Sequence, residues 1–426
     1  MLWNRIKTVL RKKVIGQQNA DRLTFTQQIL SAAGRRFLRS GRRLISARKR
    51  PELVLRRFSV AHSHTFFGYY DVTPFNRSDD RVLAMVAPPI NRSLEPDDEI
   101  RIGYFEIGNS DSFQEVGRTT TWCWQQGCRL SWFPGGADDL IVYNKLVDGA
   151  YGCVVQSTND RSVVKAIGSP LYDIDSSGRR ALSLDFSRLQ RLRPGYGYVS
   201  LADQTEGCPC PDDNGIWLVD LKSGDEELII NLAALALLES DESMTGAEHY
   251  INHISFNPCG DRFMFFHLWV KQGMLFNRLI ISDRTGDNLR ILENKGTVSN
   301  YTWKTNRDLL VTVNYDNGAC HYNLYRNLDC VPVRVGKDIL TVDGHPSYQP
   351  GSEALLTDTY PDDFGEQRLI VFDSGSGTTI LGRYRLPLRY RGETRCDLHP
   401  RWNRKGNRVC FDSSHSGIRA LYVADI

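Results

Sequence analysis

The sequence predicts an all-β fold, a seven-bladed β-propeller with a basic helical N-terminal extension. Three observations carry that reading. A turn signature recurs along the chain: a polar residue, an aromatic three positions on, proline at five, glycine at seven, then an apolar run. It stands clearest in His253-Ile-Ser-Phe256-Asn-Pro258-Cys-Gly260 and, with Arg404 in place of the proline, in His399-Pro-Arg-Trp402-Asn-Arg-Lys-Gly406. Its copies recur at roughly 45 to 75 residues, mostly near the ~40–50 of propeller blades. Between them lie short alternating strands broken by turn clusters such as Ser223-Gly224-Asp225, Arg284-Thr-Gly286-Asp287 and Ser374-Gly-Ser-Gly377.

Taken from the N-terminus, residues 1–50 form a basic arm and residues 51–426 the propeller. Residues 1–60 hold 16 Lys/Arg against Asp21 and Glu52, so a net charge of +3 hides a mildly acidic body. In residues 2–15, Leu2, Trp3, Ile6, Val9, Leu10, Val14 and Ile15 fall on one face of a helix, with Arg and Lys opposite. Such a helix suits the anionic inner-membrane surface; the alternative is a helix packed on the body. No aromatic-basic module follows, so no nucleic acid is expected as a partner. Charges interrupt any signal-peptide core and no apolar run spans a bilayer, which predicts a cytoplasmic protein, peripheral at the inner membrane. The ten cysteines agree: the chain is too long to need disulfide staples, and free, mostly buried thiols are expected.

The propeller units start near 64, 121, 169, 246, 297, 341 and 392. Arg129-Leu-Ser-Trp132-Phe-Pro134-Gly-Gly136 and His345-Pro-Ser-Tyr348-Gln-Pro350 are further clear copies of the signature. Asp71-Val-Thr-Pro-Phe75, Asp173-Ile-Asp-Ser-Ser-Gly178 and Asn300-Tyr-Thr-Trp303 are weaker ones. The third unit carries the longest insertion, between Asp185 and Ile216, with Arg188, Arg191, Arg193, Tyr196 and Tyr198. Arginine beside aromatic rings suits a charged saccharide, and a solvated loop is the alternative. The last unit offers only three strands, which leaves an exposed edge. The β-prone segment 53–60, which Pro51 separates from any preceding helix, is predicted to complete the seventh blade as its outer strand.

The turn followed by an apolar strand resembles the TolB-like and WD40-like propeller repeats of bacteria, over residues 64–426. His-Pro-x-aromatic at a repeat start and Trp122-Cys-Trp124-Gln125-Gln126-Gly127 look like the oligogalacturonate lyases. That resemblance implies a seven-bladed propeller binding manganese through three His and one Gln above the channel. Where that family opens one repeat with Gln-x-x-His-x-His, this chain has Thr394, Asp397 and His399. The whole also looks like propellers encoded with bacterial surface-polysaccharide enzymes, which implies a glycan context.

In a propeller the first strand of each blade runs along the central channel, so one repeat position maps onto a ring at its mouth. That position reads Asp71 or Val72, Arg129, Leu171, His253, Asn300, His345 and His399, and takes three of the nine histidines. His253, His345 and His399 are candidate ligands for Mn²⁺ or another divalent metal, or strand caps bonded to backbone. Arg129 suits bidentate pairing with an acidic sugar, with Gln126, Asn300 and Arg188 as further candidate substrate contacts. His64 and Tyr70, in a segment dense in acid–base groups, and His253 are the candidate catalytic residues. No P-loop, dinucleotide glycine pattern or Gly-x-Ser-x-Gly elbow is present. The expected function is action on an acidic bacterial oligo- or polysaccharide, possible chemistry being lyase-type β-elimination. The alternative is a non-catalytic scaffold or glycan-binding protein of cell-surface polysaccharide biosynthesis.

Overall fold

Seven four-stranded antiparallel sheets make up the molecule. The structure, a computed structural model, describes residues 53–426, so the arm predicted for 1–50 lies outside the described residues. Six blades are continuous in sequence, at 64–119, 131–167, 173–231, 248–293, 297–335 and 347–385. The seventh combines three strands of 401–425 with Leu55–Phe58 from the other end of the chain. There Leu55 pairs with Ala424 and Phe58 with Leu421, so the N-terminal strand covers the edge that Ala420–Asp425 would otherwise expose. Phe58 is buried against Phe105 of the first blade, which ties the closing strand to its neighbour.

The core is distributed between blades rather than central. Its largest cluster runs from the second to the fifth blade, through residues such as Leu182, Phe263, Phe265 and Val311. Strands covered on both faces supply it: in Arg262–Lys271 and Leu309–Asn314 the residues are buried in continuous runs, because each blade is flanked by its neighbours. No disulfide joins any of the ten cysteines among the described residues, and Cys123, Cys128, Cys153, Cys320, Cys396 and Cys410 are buried. No helix among the described residues is long and apolar enough to cross a membrane.

Two departures from regular blades position the site. In blade one, Phe66 pairs with Met85 and the next bridge joins Phe75 to Val82, so residues 67–74 loop out of the innermost strand. Other blades hold this loop in place. Asp412 accepts from the Phe67 and Gly68 amides, Arg401 donates to the Gly68 and Tyr69 carbonyls, and Tyr70 Oη accepts from the Tyr301 amide at 2.7 Å. The second departure is the blade-three insertion, which contains the helix Phe186–Leu192, N-capped by Asp185. Strands of a blade alternate in direction, so this insertion, between second and third strands, emerges at the end where each innermost strand begins.

Candidate functional site

Arg129, His253 and His399 hold one repeat position, and the backbone treats them alike. All three lie in the left-handed region, at φ of 54°, 56° and 43°. A non-glycine residue there costs about 1–2 kcal/mol, so the repeated conformation marks a place where side-chain direction is imposed by the surroundings. The three side chains nevertheless serve different ends. Arg129 forms a buried bidentate pair with Asp71 at 3.0–3.1 Å and donates Nε to the Tyr172 carbonyl at 2.7 Å. It braces neighbouring blades, and its buried side chain and its charge are already committed to Asp71.

His345 and His399 meet, their ring centroids 4.4 Å apart and nearly perpendicular. One carboxylate organises both. Asp358 accepts from the His345 amide at 2.7 Å and from its Nδ1 at 2.9 Å, and also from the His399 amide at 3.3 Å. His399 Nδ1 lies 2.7 Å from the Gly68 carbonyl. A carbonyl and a carboxylate can only accept, so both Nδ1 atoms carry hydrogen and both Nε2 atoms keep their lone pairs, that of His345 meeting the Tyr360 hydroxyl only at 3.5 Å. Asp397 joins them: ligand atoms of His345, Asp397 and His399 all lie within 4.8 Å of one another, and all three residues are buried. Two imidazole nitrogens and a carboxylate fit a divalent metal of the manganese or zinc kind.

The same groups are electrostatically tuned. Burial opposes charge on His345, but Asp358, Asp397 and Asp343 outweigh it and hold its pKa above the usual 6.5. Burial, with His345 and Arg401 adding to it, pushes His399 well below that value. Asp397 is fully buried, yet Arg395, donating to both its oxygens at 2.6–2.8 Å, keeps it ionised and its pKa low.

His253 stands apart, on the far side of Tyr69. Tyr69 Oη is 2.8 Å from His253 Nε2 and donates weakly to Asn300 Oδ1 at 3.3 Å. The Tyr69 ring also lies 4.9 Å from that of His399 and 6.2 Å from that of His345. The looped-out segment of blade one thus inserts a phenol among histidines of blades four, six and seven. Burial and Arg193 push His253 well below 6.5, and burial and Tyr70 push the Tyr69 phenol well above 10. One is a neutral base and the other a protonated acid at neutral pH.

The remaining candidates separate cleanly. Gln126 lies beneath His253, donating to Tyr172 Oη at 2.8 Å and to Asn252 at 3.2 Å, while its own Oε1 is buried without a partner among the described residues. Tyr70 is at the channel, but its hydroxyl is taken by the Tyr301 amide. His64 does not reach the site. Its Nε2 meets the Ile90 carbonyl at 2.8 Å, its Nδ1 accepts from the Arg419 amide, and its ring packs on Trp124 and Tyr390. Arg188 also falls outside. It is buried and donates to carbonyls of His249, Thr205, Cys208 and Pro209, a clamp holding the insertion to blade four. A water-sized cavity of about 10 Å³ beneath the insertion, bounded by Arg188, Asn214, Leu232 and Tyr250, is likewise lined by none of His345, Asp397 and His399.

The insertion itself crosses the mouth. Gly195, at φ 92°, accepts from the Gln125 amide and lies so close to Glu393 that a β-carbon would approach its Cα to 3.2 Å. Gln125 Nε2 in turn donates to the carbonyls of Glu393 and Arg395. Connections of blades one, three and six thereby meet over the histidines.

No family model matches the sequence, and no curated protein matches it. Among solved structures, an oligogalacturonate lyase in complex with manganese aligns at a TM-score of 0.62 with 14% identity, over 90% of this chain and 98% of that one. The oligogalacturonate lyase of Vibrio parahaemolyticus aligns at 0.62 with 11% identity, over 88% and 97%. TolB from Acinetobacter baumannii aligns at 0.39 with 12% identity, over 72% and 66%. The chain is a seven-bladed propeller of the same build as the two lyases.

Proposed function

We propose that this propeller binds an acidic oligosaccharide at the histidine mouth and cleaves it by β-elimination, with a divalent cation held by His345, His399 and Asp397. The observation that carries this reading is the pair of buried imidazoles with fixed tautomers, grouped with the Asp397 carboxylate so that one ligand atom of each residue lies within 4.8 Å of the others. The shared build with a lyase that binds manganese supports it. Asp397 stands where the lyase motif has His and Thr394 where it has Gln, so the donor set is smaller and carries a negative charge.

A divalent cation bound there supplies positive charge beside a substrate carboxylate and acidifies the adjacent carbon. The chain supplies the proton transfers. Neutral His253 accepts the proton from that carbon as the C–H bond breaks and the C=C bond forms. The Tyr69 phenol donates to the departing glycosidic oxygen as the C–O bond breaks. Their 2.8 Å contact lets the proton pass back to Tyr69, restoring the pair. Asp358 acts on both metal-binding histidines as a positioning residue. The insertion and the blade-one loop exclude water around them.

One observation favours binding without cleavage: Arg395 already engages both oxygens of Asp397. Incubating the protein with Mn²⁺ and a panel of uronate oligosaccharides separates the two. Ultraviolet absorbance from an unsaturated uronate is expected, abolished in His253→Ala; binding with no absorbance from any member would leave a lectin-like propeller.

A further inference from the structure

Every arginine around the mouth has its charge answered, with one exception. Arg129 pairs with Asp71, Arg395 with Asp397, Arg401 with Asp412, and Arg191 with Asp203 and Glu248. Arg188 is saturated largely by backbone carbonyls, and both terminal nitrogens of the Arg419 guanidinium donate to carbonyls of Trp124, Thr394 and Arg395. Arg193 has neither: no carboxylate or carbonyl among the described residues receives its guanidinium, which lies 4.3 Å over the Tyr196 ring. It is half-buried, enclosed by protein yet reached by solvent. Tyr69, Tyr250 and Tyr360 are within its electrostatic reach, and the Tyr196 ring is 6.3 Å from that of His253.

From this, and resting on the reading of the mouth as a saccharide site, we infer that Arg193 is the receptor for a sugar carboxylate. Enclosing a guanidinium without a counter-charge is unfavourable in the free protein, and an incoming carboxylate removes that penalty. The planar fork matches a carboxylate bidentately, while Tyr196 holds it by cation–π contact. Position is fixed by the chain on both sides. The Arg193 amide closes the helix Phe186–Leu192 on the Leu189 carbonyl, Arg188 and Arg191 anchor that helix, and Gly195 is held under Glu393. The buried Tyr250 hydroxyl, without a partner among the described residues, is a second group near the same guanidinium.

Two measurements on the full chain test this without metal or turnover. Phenylglyoxal labelling read by peptide mass spectrometry should show Arg193 modified, slowed about fivefold or more by trigalacturonate and unaffected by the neutral maltotriose. In calorimetry, Arg193→Gln should weaken trigalacturonate binding about 10- to 100-fold and Arg193→Lys less, since lysine keeps the charge but loses the fork. Labelling of Arg193 indifferent to trigalacturonate, or unchanged affinity in Arg193→Gln, overturns the assignment. Protection of Arg193 without any unsaturated product would defeat the lyase reading and leave the receptor standing. Product formation with Arg193 unprotected would do the reverse.

Discussion

At the scale of single residues, the adjacent tyrosines of blade one make opposite commitments. Tyr69 meets His253 at 2.8 Å, whereas Tyr70 satisfies the buried Tyr301 amide. Tyr69→Phe should therefore lower turnover about 10²- to 10⁴-fold with little change in melting temperature. Tyr70→Phe should instead destabilise by about 1–3 kcal/mol by leaving that amide unpartnered. Equal effects of the two substitutions on stability and turnover would contradict the assignment. Buried histidines also set the pH response. Unfolded imidazoles titrate near 6.5; burial and Arg419 push His64 down to about 4, and His253, His267 and His399 lie well below 6.5. Below that value the unfolded chain binds more protons, so stability falls as pH drops. His345, with a raised pKa, and Asp173, which burial pushes up to about 7, act oppositely: each contribution is full below the unfolded value and fades as pH rises through the folded one. The lowered histidines outnumber these two. Urea unfolding should show stability lower at pH 5 than at pH 7, His64 alone accounting for about 2 kcal/mol; a flat profile would refute this. Much of this scale was legible, because repeat register picked out His253, His345 and His399. Register says which residues begin a strand, not what they touch. Arg129 was answered by Asp71 and His64 by backbone, whereas Tyr69 reaches the site through a loop no periodicity marks. Asp358 did carry a signal: Asp412 stands at the same offset from His399 as Asp358 from His345.

At the scale of elements, the insertion of blade three repays the attention its arginines attract, with the roles redistributed. Arg188 and Arg191 are clamps, and Arg193, two residues beyond, has no carboxylate or carbonyl partner among the described residues. In sequence the three are equivalent; only the helical turn Phe186–Leu192 decides which face each presents. The closing strand was legible for a simpler reason. A propeller cannot leave a blade one strand short without an exposed edge, and only one unemployed β-prone segment existed. Truncation measures what that strand contributes. Removing residues 1–50 should leave the melting temperature unchanged. Removing 1–60 should strip Phe58 from its contact with Phe105, forfeiting roughly 2–3 kcal/mol of burial besides four ladder pairings, and yield a chain that melts lower and aggregates. Matching melting curves for the two truncations would show that the ring closes without it.

At the scale of the molecule, the ring holds one polar mouth where connections from several blades converge on His345, Asp397 and His399. The basic arm predicted to bind anionic membranes is a separate proposal, as the 1–50 truncation should leave the mouth's chemistry intact. The central claim is that this mouth is a metal site, and stoichiometry tests it most directly. Purified protein equilibrated with Mn²⁺ should retain one ion per chain by elemental analysis. Retention should weaken as pH falls and His345 Nε2 takes up a proton, and should be lost in both His345→Ala and His399→Ala. A chain that holds no manganese, or whose retention survives either substitution, would contradict the account.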